Sequence, residues 1–192
     1  MAKRKLSASV EHSVHTYAYL HTAAEWALEQ AEGNEEGGLR RLFNCMSSII
    51  LSAFCIEAYL NHIGSKFLPY WDDEVKKGLS INNKFKIICH HFNLSPDYSR
   101  RPFHSLREII KYRNLMAHAI TEKISLQVAQ VARLKRANYP QTWWGEHTNL
   151  KTAKRWLKDT ESMITEINKA AGERDYLTFI FGTLSVTSSK GE

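Results

Sequence analysis

Residues 39 to 67 form an apolar stretch without proline, ended by Pro69. Apolar residues recur in it at helical spacing, so it is read as one long helix. On a wheel of about 100° per residue, Leu42, Met46, Ile50, Ala53 and Leu60 share one stripe. Glu57 falls in its middle. A helix with such a stripe must bury it against other helices, and a carboxylate there needs a partner of opposite charge.

The rest of the chain supplies those helices. Residues 7 to 32 are read as a first helix, capped by Ser7 or Ser9 and ended before Gly33. Residues 33 to 38 are a polar turn and 70 to 80 a loop. Ile81 to Phe92 is a short helix, and residues 93 to 101 are a loop with Pro96. Pro102 suits the first position of a helix running to about Thr121. Residues 122 to 147 are ambiguous: 124 to 129 fit strand or helix, and 139 to 145 fit a loop. Thr148 to Ala171 is a last long helix. The stretch Tyr176 to Phe181 is β-prone, packing on the bundle or pairing at a partner's edge, and residues 188 to 192 should fray. The expected fold is all-α: a bundle of about five helices with a small irregular or β-prone C-terminal appendage, forming one domain over residues 1 to 192.

Composition narrows the class. Hydrophobic residues make up 43% of 192, enough for a core. No uninterrupted apolar run approaches the roughly 18 residues of a membrane span, so no membrane partner is expected. Lys3-Arg4-Lys5 is followed by no apolar segment of a secretory signal. The three cysteines, Cys45, Cys55 and Cys89, form no close-spaced pair and read as reduced, buried residues of a cytoplasmic protein. The formal net charge of +6 suits a polyanionic partner.

A second misplaced charge lies in the helix that starts at Pro102. There Leu106, Ile109, Ile110, Met116, Ala117 and Ile120 share one face, with Arg113 at its centre. Arg107, Lys111, Asn114 and His118 fall on another, through steps of four, three and four. Glu57 and Arg113 are therefore opposite charges on two core-facing helices and are expected to meet at a buried polar patch. Asn61, one turn after Glu57, belongs to the same patch. The pair either sets helix register or aims Arg113 at a phosphate. His118 is either a capping histidine near a helix end or a group that moves protons near neutral pH.

The run Arg113-Asn114-Leu115-Met116-Ala117-His118 resembles the motif of the higher eukaryotes and prokaryotes nucleotide-binding (HEPN) family: Arg, four to six residues, then His, often with Asn or Asp after the Arg. Residues 52 to 61 resemble the acidic helix that often precedes it. The resemblance covers roughly residues 40 to 120 and leaves 121 to 192 unexplained. It implies a metal-independent endoribonuclease in which a ribose 2′-hydroxyl attacks its own phosphate, leaving a 2′,3′-cyclic phosphate. Arg113 would stabilise the phosphorane, His118 would act as general base or acid, and Asn114 would orient phosphate or histidine. Glu57 and Asn61 would support them. The family usually dimerises so that two motifs build one composite site. Its members often serve as toxins, antiviral defence effectors or RNA-processing enzymes, with an antitoxin or regulatory protein as a further partner. In the subgroup silenced by nucleotidyltransferase antitoxins, a Tyr stands two residues after the His; Ile120 stands there here. The alternative from another class is a non-catalytic module that binds nucleotides or a partner protein. A third is a structural bundle whose buried charges set register.

Arg100, Arg101, Arg107 and Lys111 lead into the motif as candidate RNA contacts; two further basic clusters, at 133 to 136 and 151 to 158, either track a phosphate backbone or form solvated faces. Trp143 and Trp144 could stack on bases or pack on the bundle. His12 with His15, and His21 with Glu25, make no recognised metal constellation, so no metal and no cofactor are expected. No phosphate-binding glycine loop or serine-hydrolase elbow is present.

Overall fold

The computed structural model describes residues 6–118, 121–124, 141–173 and 179–190. Among them are seven helices and two strands: β1 (Leu6–Val14), α1 (Thr16–Glu32), α2 (Leu39–Phe67), α3 (Asp73–Gly78), α4 (Ile81–His91), α5 (Phe103–Ala117), α6 (Trp143–His147), α7 (Leu150–Ala170) and β2 (Gly182–Lys190). The fold is an all-α bundle with a small two-stranded sheet. α2 is its axle, packed against α1, α4, α5 and α7. By length and composition alone α2 would also be apolar enough to cross a membrane, although its sequence holds no unbroken apolar run of that length.

The buried face of α2 is Cys45, Ile49, Ser52, Ile56, Tyr59 and Ile63. It lies to one side of the stripe read from the sequence: Leu42, Met46 and Ile50 are only half-buried, while Ala53 and Leu60 are buried. Glu57 therefore stands at the margin of the core rather than in its middle. Trp156 of α7, Tyr112 of α5 and Phe85 of α4 fill the space between these helices. Gly64 on α2 lets the buried Trp71 ring lie against the helix backbone, since a Cβ there would come within 2.3 Å of the ring.

Helix starts follow local chemistry. Ser80 caps α4 by accepting from the Asn83 N–H, and Asn149 caps α7 by accepting from that of Thr152. Such caps satisfy orphan N–H groups of the first turn. The same chemistry builds two short helices where loops were expected. Asp72 accepts from Val75 N at the start of α3, and Thr142 accepts from Gly145 N at the start of α6. α5 is anchored at its start by Arg101, whose guanidinium donates twice from Nε at 2.9 Å to buried Asp159 of α7, with a further 2.7 Å contact from Nη2. Pro102 takes the N-cap position of α5, and His118 closes the helix three residues before the expected end.

The largest departure is at the ends of the chain. Residues 7 to 14 are not the first turns of α1 but most of strand β1, antiparallel to β2 with Val10 opposite Val186. The sequence alternates apolar and polar residues from Leu6 to Val10, which is strand periodicity; a partner more than 160 residues away decides it. Half of the expected β-prone stretch 176 to 181, residues 176 to 178, lies outside the described residues. The strand itself begins one residue later, and Ser188 to Lys190, expected to fray, are paired in it. His15 ties the sheet to the bundle: its N–H donates to the Phe181 carbonyl at 2.8 Å and its Nδ1 contacts the Ile180 carbonyl at 3.0 Å. The ambiguous stretch 125 to 140 and Ile120 lie outside the described residues.

Candidate active site

Glu57, Lys84 and Arg113 come from α2, α4 and α5 and meet where the three helices pack. Arg113 Nη2 donates to Glu57 Oε2 at 3.1 Å, and Lys84 Nζ donates to Glu57 Oε1 at 2.8 Å. The two expected charges thus meet, but neither is deeply buried: the side chains of Arg113 and Glu57 are 26% and 23% exposed. The wholly buried member is Lys84, at 0%, which the sequence reading did not single out. Lys84 lies on the apolar face of α4 with Ile81, Phe85 and Ile88, so the wheel argument applied to Arg113 would also have found it.

Two cations on one carboxylate leave the cluster with a formal excess of +1. Arg113 is held on two arms, with Nη1 donating to Asn114 Oδ1 at 3.0 Å and Nη2 to Glu57. Its guanidinium carbon lies 5.7 Å from the centroid of the Phe54 ring. Its Nε is buried without a hydrogen-bond partner, and so is Asn61 Oδ1. Two of the five guanidinium N–H groups are spent, and the Nη1 end, bonded to Asn114 at the exposed side, can still take a phosphate or carboxylate oxygen through its second N–H.

His118 is exposed at the end of α5, its N–H donating to the Asn114 carbonyl at 3.0 Å. Five residues along a helix rotate it about 140° from Arg113. It lines a hollow of about 370 Å³ with Met116, Glu122, Thr142 and Trp144, which Arg113 does not reach. Among the described residues, the arginine and the histidine do not line a common hollow.

Arg107, Lys111, Asn114 and His118 are all exposed, as the polar stripe of α5 requires. Lys111 Nζ lies 3.9 Å from the centroid of the Trp143 ring, and Arg107 stands over Tyr98 at 5.2 Å. Their positive charge stays available to solvent, since a ring does not neutralise it. The other two basic candidates differ. Arg101 is committed to Asp159, and Arg100, though open to solvent, sits 3.5 Å from Asp97. Arg101 is thus an anchor of α5 rather than a free RNA contact.

His21, buried on α1, stands between two carboxylates, Glu25 and Glu161, and the three lie close enough together to hold a metal ion. Its Nδ1 lies 3.2 Å from Glu25 and its Nε2 2.9 Å from Glu161. Each ring nitrogen faces its own carboxylate. The ring stacks on Phe179 at 4.1 Å, and the arrangement pins the C-terminal segment to α1 and α7. Comparison with protein-family models, curated proteins and solved structures finds no match for this chain.

Proposed function

We propose that the protein is a metal-independent endoribonuclease of HEPN type, acting as a homodimer in which two copies of α5 share one site. The observation that carries this reading is the Arg113 guanidinium, held by Glu57 and Asn114 with its Nη1 end at the exposed side, five residues before an exposed histidine. In the mechanism this arrangement supports, Arg113 stabilises negative charge on the phosphorane. His118 takes the proton of the attacking 2′-hydroxyl or returns one to the leaving 5′-oxygen. Asn114 fixes the guanidinium plane. Arg107 and Lys111 draw the RNA backbone along the polar stripe of α5.

The separation of Arg113 from His118 within one chain is the reason for two copies: the partner's α5 would supply the missing group. An apolar line on α2, with Leu39, Phe43 and Phe54 exposed at 63%, 55% and 37%, leads to Arg113 and offers a self-complementary surface. Toxin, antiviral effector or RNA-processing roles fit such an activity. The same separation favours the second reading, a nucleotide- or protein-binding module without catalysis, if the chain is monomeric.

The test is incubation with labelled transfer and messenger RNA in EDTA. Wild type should cleave and leave a 2′,3′-cyclic phosphate, while His118→Ala keeps its fold and loses most activity. Equal cleavage by His118→Ala, or a light-scattering monomer at working concentration that cuts no RNA, moves the assignment to the binding module.

A further inference from the structure

We infer that the hollow beside His118 is a base-binding subsite that seats a guanine of single-stranded RNA, stacked on Trp144 and read by Glu122. The inference rests on RNA being the partner and gives the site its sequence preference.

The two tryptophans of α6 have different surroundings. Trp143 is occupied on both faces: it stacks on His147 at 4.1 Å, stands against Trp156, and carries Lys111 on its ring at 3.9 Å. Trp144 has no ring partner among the described residues and stands half-buried in the wall of the hollow. Its backbone is fixed, because Thr148 Oγ1 donates to its carbonyl at 2.7 Å and Thr142 caps the helix one turn before. The half-buried indole thus packs in part on the bundle core and borders the hollow. Aromatic side chains of this kind accept splayed bases in single-strand recognition.

The volume, about 370 Å³, lies in the range of small-molecule pockets. Leu115 and Met116 add apolar lining, and His118 and Glu122 add polar lining. Glu122 supplies the discrimination. An ionised carboxylate accepts hydrogen bonds and donates none. Guanine presents two adjacent N–H groups on its Watson–Crick edge, matching both carboxylate oxygens as a guanidinium does. Adenine and cytosine place an acceptor beside their amino group, and uracil flanks its single N–H with two carbonyls. Each would set a lone pair against Glu122. A base seated here brings its own phosphate toward His118, so one hollow would serve both proton transfer and base choice.

The experiment measures binding of the four 3′-nucleotides to the full-length protein by calorimetry, and maps cut sites on a mixed-sequence RNA. Wild type should bind 3′-GMP more tightly than 3′-AMP, 3′-CMP or 3′-UMP and cut beside guanines. Trp144→Ala should weaken 3′-GMP binding about 5- to 150-fold, the worth of one stacked base, whereas Trp144→Phe keeps a stacking face and most of the affinity. Glu122→Gln, a solvent-exposed change that spares the fold, should remove the preference for 3′-GMP. Equal affinity for all four nucleotides, or unchanged binding in Trp144→Ala, overturns the subsite. Cleavage without base preference also overturns it and leaves the ribonuclease reading standing. Selective 3′-GMP binding with no cleavage upholds the subsite and sinks the ribonuclease.

Discussion

Glu57 should be the most costly side chain to remove from the polar cluster, and Arg113 should be cheap by comparison. Glu57 bonds both cations, at 2.8 Å to Lys84 and 3.1 Å to Arg113. Glu57→Ala strands a wholly buried ammonium and should cost about 3–5 kcal/mol, the range for breaking a buried pair from one side. Arg113→Ala leaves Glu57 still paired with Lys84, and the guanidinium it removes is already 26% exposed. Its cost should be about 1–2 kcal/mol, near that of a single charge-assisted hydrogen bond. The clearest readout is the cycle with Lys84→Met, which keeps an unbranched apolar stem but removes the charge. Because Glu57→Ala/Lys84→Met has no stranded cation, it should recover about 2–3 kcal/mol relative to the sum of the single changes. Urea denaturation followed by circular dichroism measures all four stabilities. Additive single changes, or Arg113→Ala as costly as Glu57→Ala, would refute the view that Glu57 chiefly neutralises Lys84.

Two further outcomes follow from packing and burial. Gly64→Ala forces a methyl into the Trp71 ring and should cost about 2–3 kcal/mol by overpacking, lowering Tm by about 4–12 °C in a chain of this size; an unchanged melt contradicts the close approach. Burial, helped by His15 and Lys66 and opposed by Glu173, holds His62 at a pKa of about 4, down from the usual 6.5, among the rings of His15, Tyr17 and Tyr59. The folded chain then binds fewer protons than the unfolded one between these values, so stability falls as pH drops from about 6.5 to 4 and the loss levels off below. The full shift would be about 3 kcal/mol in a dry site, and solvent at the open edge of the ring reduces it to about 2 kcal/mol. His62→Gln should flatten that part of the stability–pH curve, and an unaltered curve rules the histidine out.

What could be read from the sequence was whatever local periodicity or a local cap determines. α2, α4 and α7 lie within one or two residues of their expected bounds because stripes and caps such as Ser80 and Asn149 act within one turn. The meeting of Glu57 with Arg113 was legible for the same reason, since each is a charge out of place on its own helix. β1 was not legible, because its strand character is decided by β2 at the other end of the chain. The separation of Arg113 from His118 was half legible. The wheel already put them about 140° apart, but motif spacing drew them together into one imagined site. Packing adds to the separation: Glu57 of α2 holds the arginine, and Thr142 and Trp144 at the start of α6 line the hollow beside the histidine. Under the proposed ribonuclease reading, a second copy would supply the group that one chain places on the other side of the helix. RNA binding by a monomer that cuts nothing would instead favour the binding module.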